Sequence, residues 1–403
     1  MAALTFLDPY QASKLLSGVI PANKVKRPNW LQTFFSNEST TEKDTVNFDY
    51  EFTAKNTMGM FVLPESDVTP ITLNEFGTKE LRFSYAKEGL NSPDYEEINV
   101  RQLGQQFGNL DVMGNEVANI RTKLALSEQR FENLFELAAT NILIYGGYQA
   151  ASEKHPTIRY DFGRKVIKLP ADMNSDLMPS VNLTSSAVVA PWDSAQTIMP
   201  VVATGTDATG ATYTSGAKAW TNSNITAKTA TPVKDIVKMY ETAKFRAGTS
   251  ACLMSTDAYE AFNFDLITNY KDSSVTTLDV ILRSQQDILP RVKDVQGLTY
   301  KRSYPLGNGE LVDIYVYDGF YHTRSAGTIT KYVPNGFVVM IPPAENGVKV
   351  YGRIKHPRAN YQAMPRWINY WEEPKTGKRE WEVHTNFLMG HTDIDSVVSW
   401  KVL

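Results

Sequence analysis

The sequence predicts an α+β fold, on three observations. An apolar stripe at helical spacing runs through residues 109–146, alternating runs punctuated by turn residues flank it on both sides, and strands and helices interleave over 232–345. With 403 residues, 42% hydrophobic and 11% aromatic, the chain has ample side chain for a core and length for two or three ordinary domains.

Asp8-Pro9 sets an N-cap residue before proline at the first helical position and Gly18 closes the pattern, so residues 9–17 read as a short helix. An arm follows. The alternation of Val46, Phe48, Tyr50 and Phe52 predicts a strand over 45–52. Pro64, Pro70, Gly77, Gly89 and Pro93 then punctuate short runs such as Leu81-Arg82-Phe83-Ser84-Tyr85, which reads as a two-stranded excursion. In such a strand Leu81, Phe83 and Tyr85 share one face and Arg82 and Ser84 face solvent. A projection of roughly forty residues must find burial elsewhere, and a neighbouring subunit is the economical place.

The stripe itself comprises Val117, Ile120, Leu124, Phe131, Leu134, Phe135, Ala138 and Ile142, spaced by three and four and broken near Ser127; Gly146-Gly147 ends it. A single helix of that extent is about 50 Å long, and the alternative is two helices meeting near Asn115 or Ser127. Either way Val117, Ile120, Leu124, Phe131 and Leu134 are expected in the core. Residues 158–169 read as a hairpin about Phe162-Gly163. Residues 171–228 are crowded with Ser, Thr, Ala, Asn and Gly yet keep Trp192 and Trp220, which predicts an ordered surface insertion with small strands. A helix from Thr231-Pro232 to Gly248, a strand at 251–255, helices at 257–270 and 278–289, and strands at 311–317 and 336–341 complete a mixed module. No internal repeat is present.

The chain closes on Ala363-Met364-Pro365-Arg366-Trp367, a polar turn at Glu373-Pro374-Lys375-Thr376-Gly377, the runs Glu380 to His384 and Asn386-Phe387-Leu388-Met389, and Val397-Val398-Ser399-Trp400-Lys401-Val402-Leu403. The order of these elements resembles the carboxyl end of the lambda-type major head proteins of tailed bacteriophages, the phage major capsid protein E family. Pro28-Asn29-Trp30-Leu31-Gln32-Thr33-Phe34-Phe35 followed by Thr40-Thr41-Glu42-Lys43 is similar to that family's apolar-aromatic run and Thr-Thr-Glu-Lys step. The likeness covers about residues 25–150 and 350–403. It departs at Gly390-His391-Thr392-Asp393, where the family often places Pro-Asp, and in the insertion.

The resemblance implies the Hong Kong 97 capsid fold. Its parts would be an amino-terminal arm (1–54), an extended loop (55–108), a peripheral domain (109–231 and 346–403) holding the spine helix 109–146 and the insertion 171–228, and an axial domain (232–345). It implies a major capsid protein that self-assembles into hexamers and pentamers of an icosahedral shell around double-stranded DNA. Leu81, Phe83 and Tyr85 of the extended loop would then lie on the adjacent subunit. Portal, scaffold and decoration proteins are its implied partners, the virion its place, and the host cytoplasm its site of assembly.

Charge and motifs exclude much else. Lys and Arg total 41 against 44 Asp and Glu, a formal charge of −3, so no global basic field draws the chain onto nucleic acid. A lining near neutral suits a container, because a basic one would trap the entering genome. The lone Cys252, set among Ala251, Leu253 and Met254, reads as part of a buried strand and cannot form an internal disulfide. The apolar stretch 15–20 is short and stopped by Pro21, so the expectation is neither signal peptide nor membrane span, and work in a reducing cytoplasm. Phosphate-loop, dinucleotide, zincin, nucleophile-elbow and paired-cysteine motifs do not occur, so no catalytic group, cofactor or metal is expected.

His384, His391, Asp393 and Asp395 lack a third fixed ligand and read as an exposed turn rather than a metal site; His322 and His356 read as loop histidines, and Asp94, Glu96 and Glu97 as a solvated run. The one notable basic stretch is Lys349, Arg353, Lys355 and Arg358. On a strand Lys349, Tyr351, Arg353 and Lys355 would share a face that meets DNA or, favoured here, the acidic edge of the next subunit. The competing functions are a β-rich receptor- or carbohydrate-binding protein, which the Thr/Ser-rich insertion and twenty tyrosines would suit, and a hydrolase whose carboxylates linear spacing hides.

Overall fold

The computed structural model describes residues 31–52, 75–91, 112–152, 155–162, 205–206, 212–213, 220–228, 230–246, 251–269, 297–305, 310–322, 329–341, 347–372, 379–392 and 397–403. The helices expected over 9–17 and 278–289, most of the insertion, the run Asp94, Glu96, Glu97 and the side chain of Val117 lie outside the described residues.

A 3-10 turn at Leu31–Phe34 is followed by strands β1 (Asn37–Thr40), β2 (Thr45–Phe52), β3 (Glu75–Arg82) and β4 (Ser84–Asn91), then helix α1 (Val112–Tyr145). Next come the hairpin β5 (Gly147–Ser152) and β6 (His155–Asp161), the two-residue strands β7 (Gly205–Thr206) and β8 (Thr212–Tyr213), and helices α2 (Asn222–Thr226) and α3 (Pro232–Arg246). Then follow β9 (Ala251–Met254), α4 (Thr256–Asn269), β10 (Leu298–Pro305), β11 (Leu311–Tyr317), β12 (Phe320–His322), β13 (Ile329–Lys331) and β14 (Phe337–Ile341). The chain ends with β15 (Gly347–Tyr351), a 3-10 turn at Pro357–Ala359, β16 (Trp367–Glu372), β17 (Arg379–His391) and β18 (Val398–Lys401).

The spine is one helix. Its 34 residues run without a break through Ser127, which is buried, and stop at Gly146, whose positive φ of 78° and bond from its N–H to the Ile142 carbonyl make a left-handed cap. Leu124, Phe131, Phe135, Ala138 and Ile142 are buried, and Ile120 packs half-buried on the same core. Leu134 does not join them and is 39% exposed. A step of three from Phe131 turns the helix about 60° short of a full circle, toward Arg130, and the next residue, Phe135, takes the inner seat against the ring of Phe387.

Two five-stranded sheets flank the spine. In the first, β17 is central: β4 pairs along one edge over Ser84 to Asn91, while β15 and β16 follow one another along the other, with β1 parallel to β15 outside them. One 13-residue strand thus replaces the two runs read at 380–389. The second sheet has the order β10-β11-β9-β14-β18. Its central strands β9 and β14 are buried throughout, as strands covered on both faces must be. Their side chains alternate: Cys252, Met254, Val338 and Met340 meet the core of α3 and α4, while Leu253, Val339 and Ile341 meet the core of the spine.

Two placements go beyond the sequence reading. β18 does not join β16 and β17 in the first sheet but pairs with β14 in the second, with Trp400 and Val402 in the α3–α4 core, because its alternating Val and Trp find an unpaired edge there. Trp220 also belongs to that core: its indole N–H donates to Asp235 at 2.8 Å and its backbone N–H to Val402. The described residues Trp220, Ile225 and Ala230 therefore pack with the α3–α4 core. The described partner of β6 is β5, before it; the second half of the hairpin expected about Phe162-Gly163 lies outside the described residues, and Phe162 is buried and bonds back to Gly146.

Candidate assembly interface

The arm docks on its own subunit through a carboxylate. The backbone N–H groups of Leu31 and Gln32, at the open end of the 3-10 turn, donate to Oε1 and Oε2 of Glu136 at 3.0 and 3.1 Å, and the Tyr317 hydroxyl donates to Oε1 at 2.8 Å. The Gln32 amide donates to the Glu132 carbonyl at 3.0 Å. Burial pushes the Glu136 carboxyl up to about 7; the Leu31, Tyr317 and Gln32 donors and the charge of Lys349 pull it down without offsetting that. One and two turns earlier, Glu132 and Glu128 both pair with Arg366. An acid at every fourth position of the helix, Glu128-Glu132-Glu136, was the available sequence signal for this seat, and the apolar periodicity masked it.

Glycines make room for the arm. A Cβ on Gly347 would stand 2.0 Å from the Phe34 carbonyl oxygen, and one on Gly390 2.3 Å from the Phe48 ring. The Gly390-His391 departure from the head-protein pattern is thus the seat of Phe48, with Phe35 edge-on to His391.

This docking also answers the basic stretch. Lys349 is buried, 3.6 Å from Glu38 and 3.5 Å from the Gln32 side-chain oxygen, and Arg353 lies 3.5 Å from Glu42. Both face acidic side chains of their own arm. β15 ends at Tyr351, so Lys349, Arg353 and Lys355 do not share one strand face; Lys355 is exposed beyond the bend at Gly352.

At the stem of the extended loop Phe83 separates β3 from β4 and is buried against Gly352 and Asn386 of the same subunit. Ser84, expected outside, is buried too and shares a 2.7 Å hydrogen bond with Tyr160. Leu81 packs half-buried on the same core, and the Tyr85 hydroxyl lies 2.6 Å from His384 Nδ1. Pairing of β4 with β17 fixes these orientations, so Phe83 has no surface left for a neighbour, and the contact expected of Leu81, Phe83 and Tyr85 is made largely within the subunit.

His384 and His391 are buried rather than on an exposed turn. Nε2 of His384 is 3.2 Å from Glu382, which also pairs with Lys87, and the rings of His356 and Trp367 pack beside it. Burial first, then the neighbouring Lys87, depresses the His384 imidazole to about 4 against the pull of Glu382; burial and Glu382 raise the Tyr85 phenol to about 12. A phenol pushed up is a poor nucleophile, so this Tyr-His-Glu chain is a clamp between β4 and β17. Cys252 is buried in β9 with its thiol pushed up by burial, as a structural cysteine should be. Among the described residues no three metal-ligating side chains come together, and no helix is long and apolar enough to cross a membrane.

Among the described residues, large apolar side chains left in solvent stand on the spine and on the β12–β13 pair. Leu126 and Leu134 flank Arg130 on the outer face of the spine, where Arg130 reaches Glu88 at 3.4 Å. Phe320 and Ile329 stand on one face of the β12–β13 hairpin, whose other face carries Tyr321 onto the core.

The family model of phage major capsid protein E matches residues 205–402, which span the axial module and the closing sheet. Over those residues the chain is that of a phage major capsid protein E. No curated protein sequence matches this capsid subunit. Among solved structures, one described as a prophage capsid protein of E. coli CFT073 aligns at 13% identity with a TM-score of 0.58, covering 97% of this chain and 99% of its own. A phage-related protein from Bordetella bronchiseptica RB50 (9% identity, 96% of each chain) and the cyanophage P-SCSP1u capsid (8%, 94% of this chain and 89% of that one) both give 0.42. The first of these extends the capsid fold over the arm, stem and spine that precede residue 205. Family and fold are those of structural shell proteins, not of enzymes, and they place the subunit in the virion capsid.

Proposed function

We propose that the subunit closes an icosahedral shell from hexamers and pentamers of itself and encloses double-stranded DNA without reading its sequence. The family match over residues 205–402 carries the reading. The geometry supports it: the outer spine face carries Leu126 and Leu134 in solvent, a surface suited to a neighbour's extended loop, whose own stem is fastened by β4. Leu81 and Tyr85, half-buried at that stem, keep part of their surface for the same contact. Within 171–228 Trp220 and Ile225 belong to the core, so the outward position is proposed for the small polar residues that precede them, where their composition suits solvent, and portal, scaffold and decoration proteins complete the particle. Negative-stain microscopy with sedimentation of the purified chain tests this: closed shells or capsomers are expected, and a monodisperse monomer at high concentration across salt and pH overturns it.

A further inference from the structure

The seat of the arm contains one ionisable group at its centre. Glu136 is fully buried, and the atoms that cover it come from three elements of unequal strength. Tyr317 is held in a five-stranded sheet and Glu136 itself in a 34-residue helix, whereas the third cover is the four-residue turn Leu31–Phe34, followed by the short edge strand β1, all four of whose residues are exposed. When a carboxylate in a dry site must be hydrated, the weakest cover opens.

The charges around it do not hold it ionised. On its own helix Glu132 is spent on Arg366. From β11 and the residue following β13 come the phenols of Tyr317 and Tyr332. From β15 comes Lys349, shared with Glu38 and Gln32 of the arm. Among the described residues the arm presents to it the backbone N–H groups of Leu31 and Gln32. A phenol turns its proton freely, so Tyr317 donates to the carboxylate and accepts from the protonated acid; both forms can be bonded, but only the neutral one is cheap to bury.

We propose that Glu136 is a proton-operated latch on the amino-terminal arm: protonated, it holds the Leu31–Phe34 turn and β1 against the spine, and on ionising it loosens them. The sign follows from the raised pKa. Docking takes up a proton, so the latch is fully closed below the ordinary carboxyl value and weakens as pH rises through the docked value. Leu31 and Phe35, completely buried, keep the arm tethered, so the effect is a shift in an opening equilibrium. The property belongs to the single subunit and stands whether or not shells form.

Amide hydrogen exchange of residues 31–40 in the full chain, corrected for intrinsic rate and referred to β9, reads the latch, with sedimentation checking a constant assembly state. With a docked pKa of about 7 against 4.5, opening should increase about tenfold from pH 6 to pH 8 and then level. Glu136→Gln should abolish the dependence. Tyr317→Phe removes a bond that favours the carboxylate and should move the upper end of the rise to higher pH, which keeps the test decisive where the Gln variant does not fold. Arm protection independent of pH in the wild type, a rise that persists in Glu136→Gln, or an unshifted rise in Tyr317→Phe overturns the proposal.

Discussion

At the scale of single residues, this capsid subunit spends its buried polar groups on joints between elements rather than on chemistry. His384 joins β4 to β17 through Tyr85 and Glu382, and its neutral form belongs to the fold. A histidine held near 4 against an ordinary 6.5 contributes fully above pH 6.5 and is lost as pH falls toward 4, a contribution of about 3 kcal/mol for a side chain so completely enclosed. Thermal unfolding of wild type and His384→Asn across that window should show the acid slope in the first and not in the second. Equal slopes would mean that another group carries the acid sensitivity. Phe83 is a joint of the same kind, so Phe83→Ser is expected to damage its own subunit before it affects any neighbour.

At the scale of elements, the spine shows how one helix serves two purposes. Its inner side, with Leu124 at 2% exposure, is core; its outer side carries Leu126 and Leu134. Leu124→Asp should cost several kcal/mol, on the order expected for a charge placed in a closed core, and leave the chain insoluble or unfolded. Leu134→Asp should fold normally by circular dichroism yet form fewer particles, because it alters only the face proposed to receive the neighbour's loop. Soluble, assembled Leu124→Asp particles would show that the faces have been exchanged.

At the scale of the whole molecule, β18 ties the second sheet to the spine. β18 sits at the edge of the axial sheet while its Ser399 hydroxyl donates to the Ile144 carbonyl at the end of the spine, 2.6 Å away. Deleting residues 397–403 removes Trp400 and Val402 from the α3–α4 core and uncovers β14. The truncated subunit should lose protection from proteolysis across residues 220–341 and build no shells; normal particles from it would show that β18 is dispensable. The same edge, once open, is a pairing hazard between chains, so aggregation is the expected fate of the truncated protein.

Much of this was legible in order along the chain. The strands over 45–52 and 311–317, the helix from Pro232, the buried setting of Cys252 and the end of the spine at Gly146 are consequences of local periodicity and of turn chemistry, which act over a few residues and are written in the sequence directly, whereas the structure decided that the spine is one helix rather than two. The family, too, was readable, from the ordering of the closing strands and the run at 28–43. Tertiary structure alone decided where those elements go. That β18 crosses to the axial sheet, that Lys349 and Arg353 meet the arm's own acids, that Phe83 and Ser84 turn inward, and that Glu136 caps a turn some hundred residues away are matters of which surfaces meet. Pairing partners and buried polar joints depend on contacts remote in sequence, and a pattern of three and four, or of two, specifies a face without specifying what that face will touch.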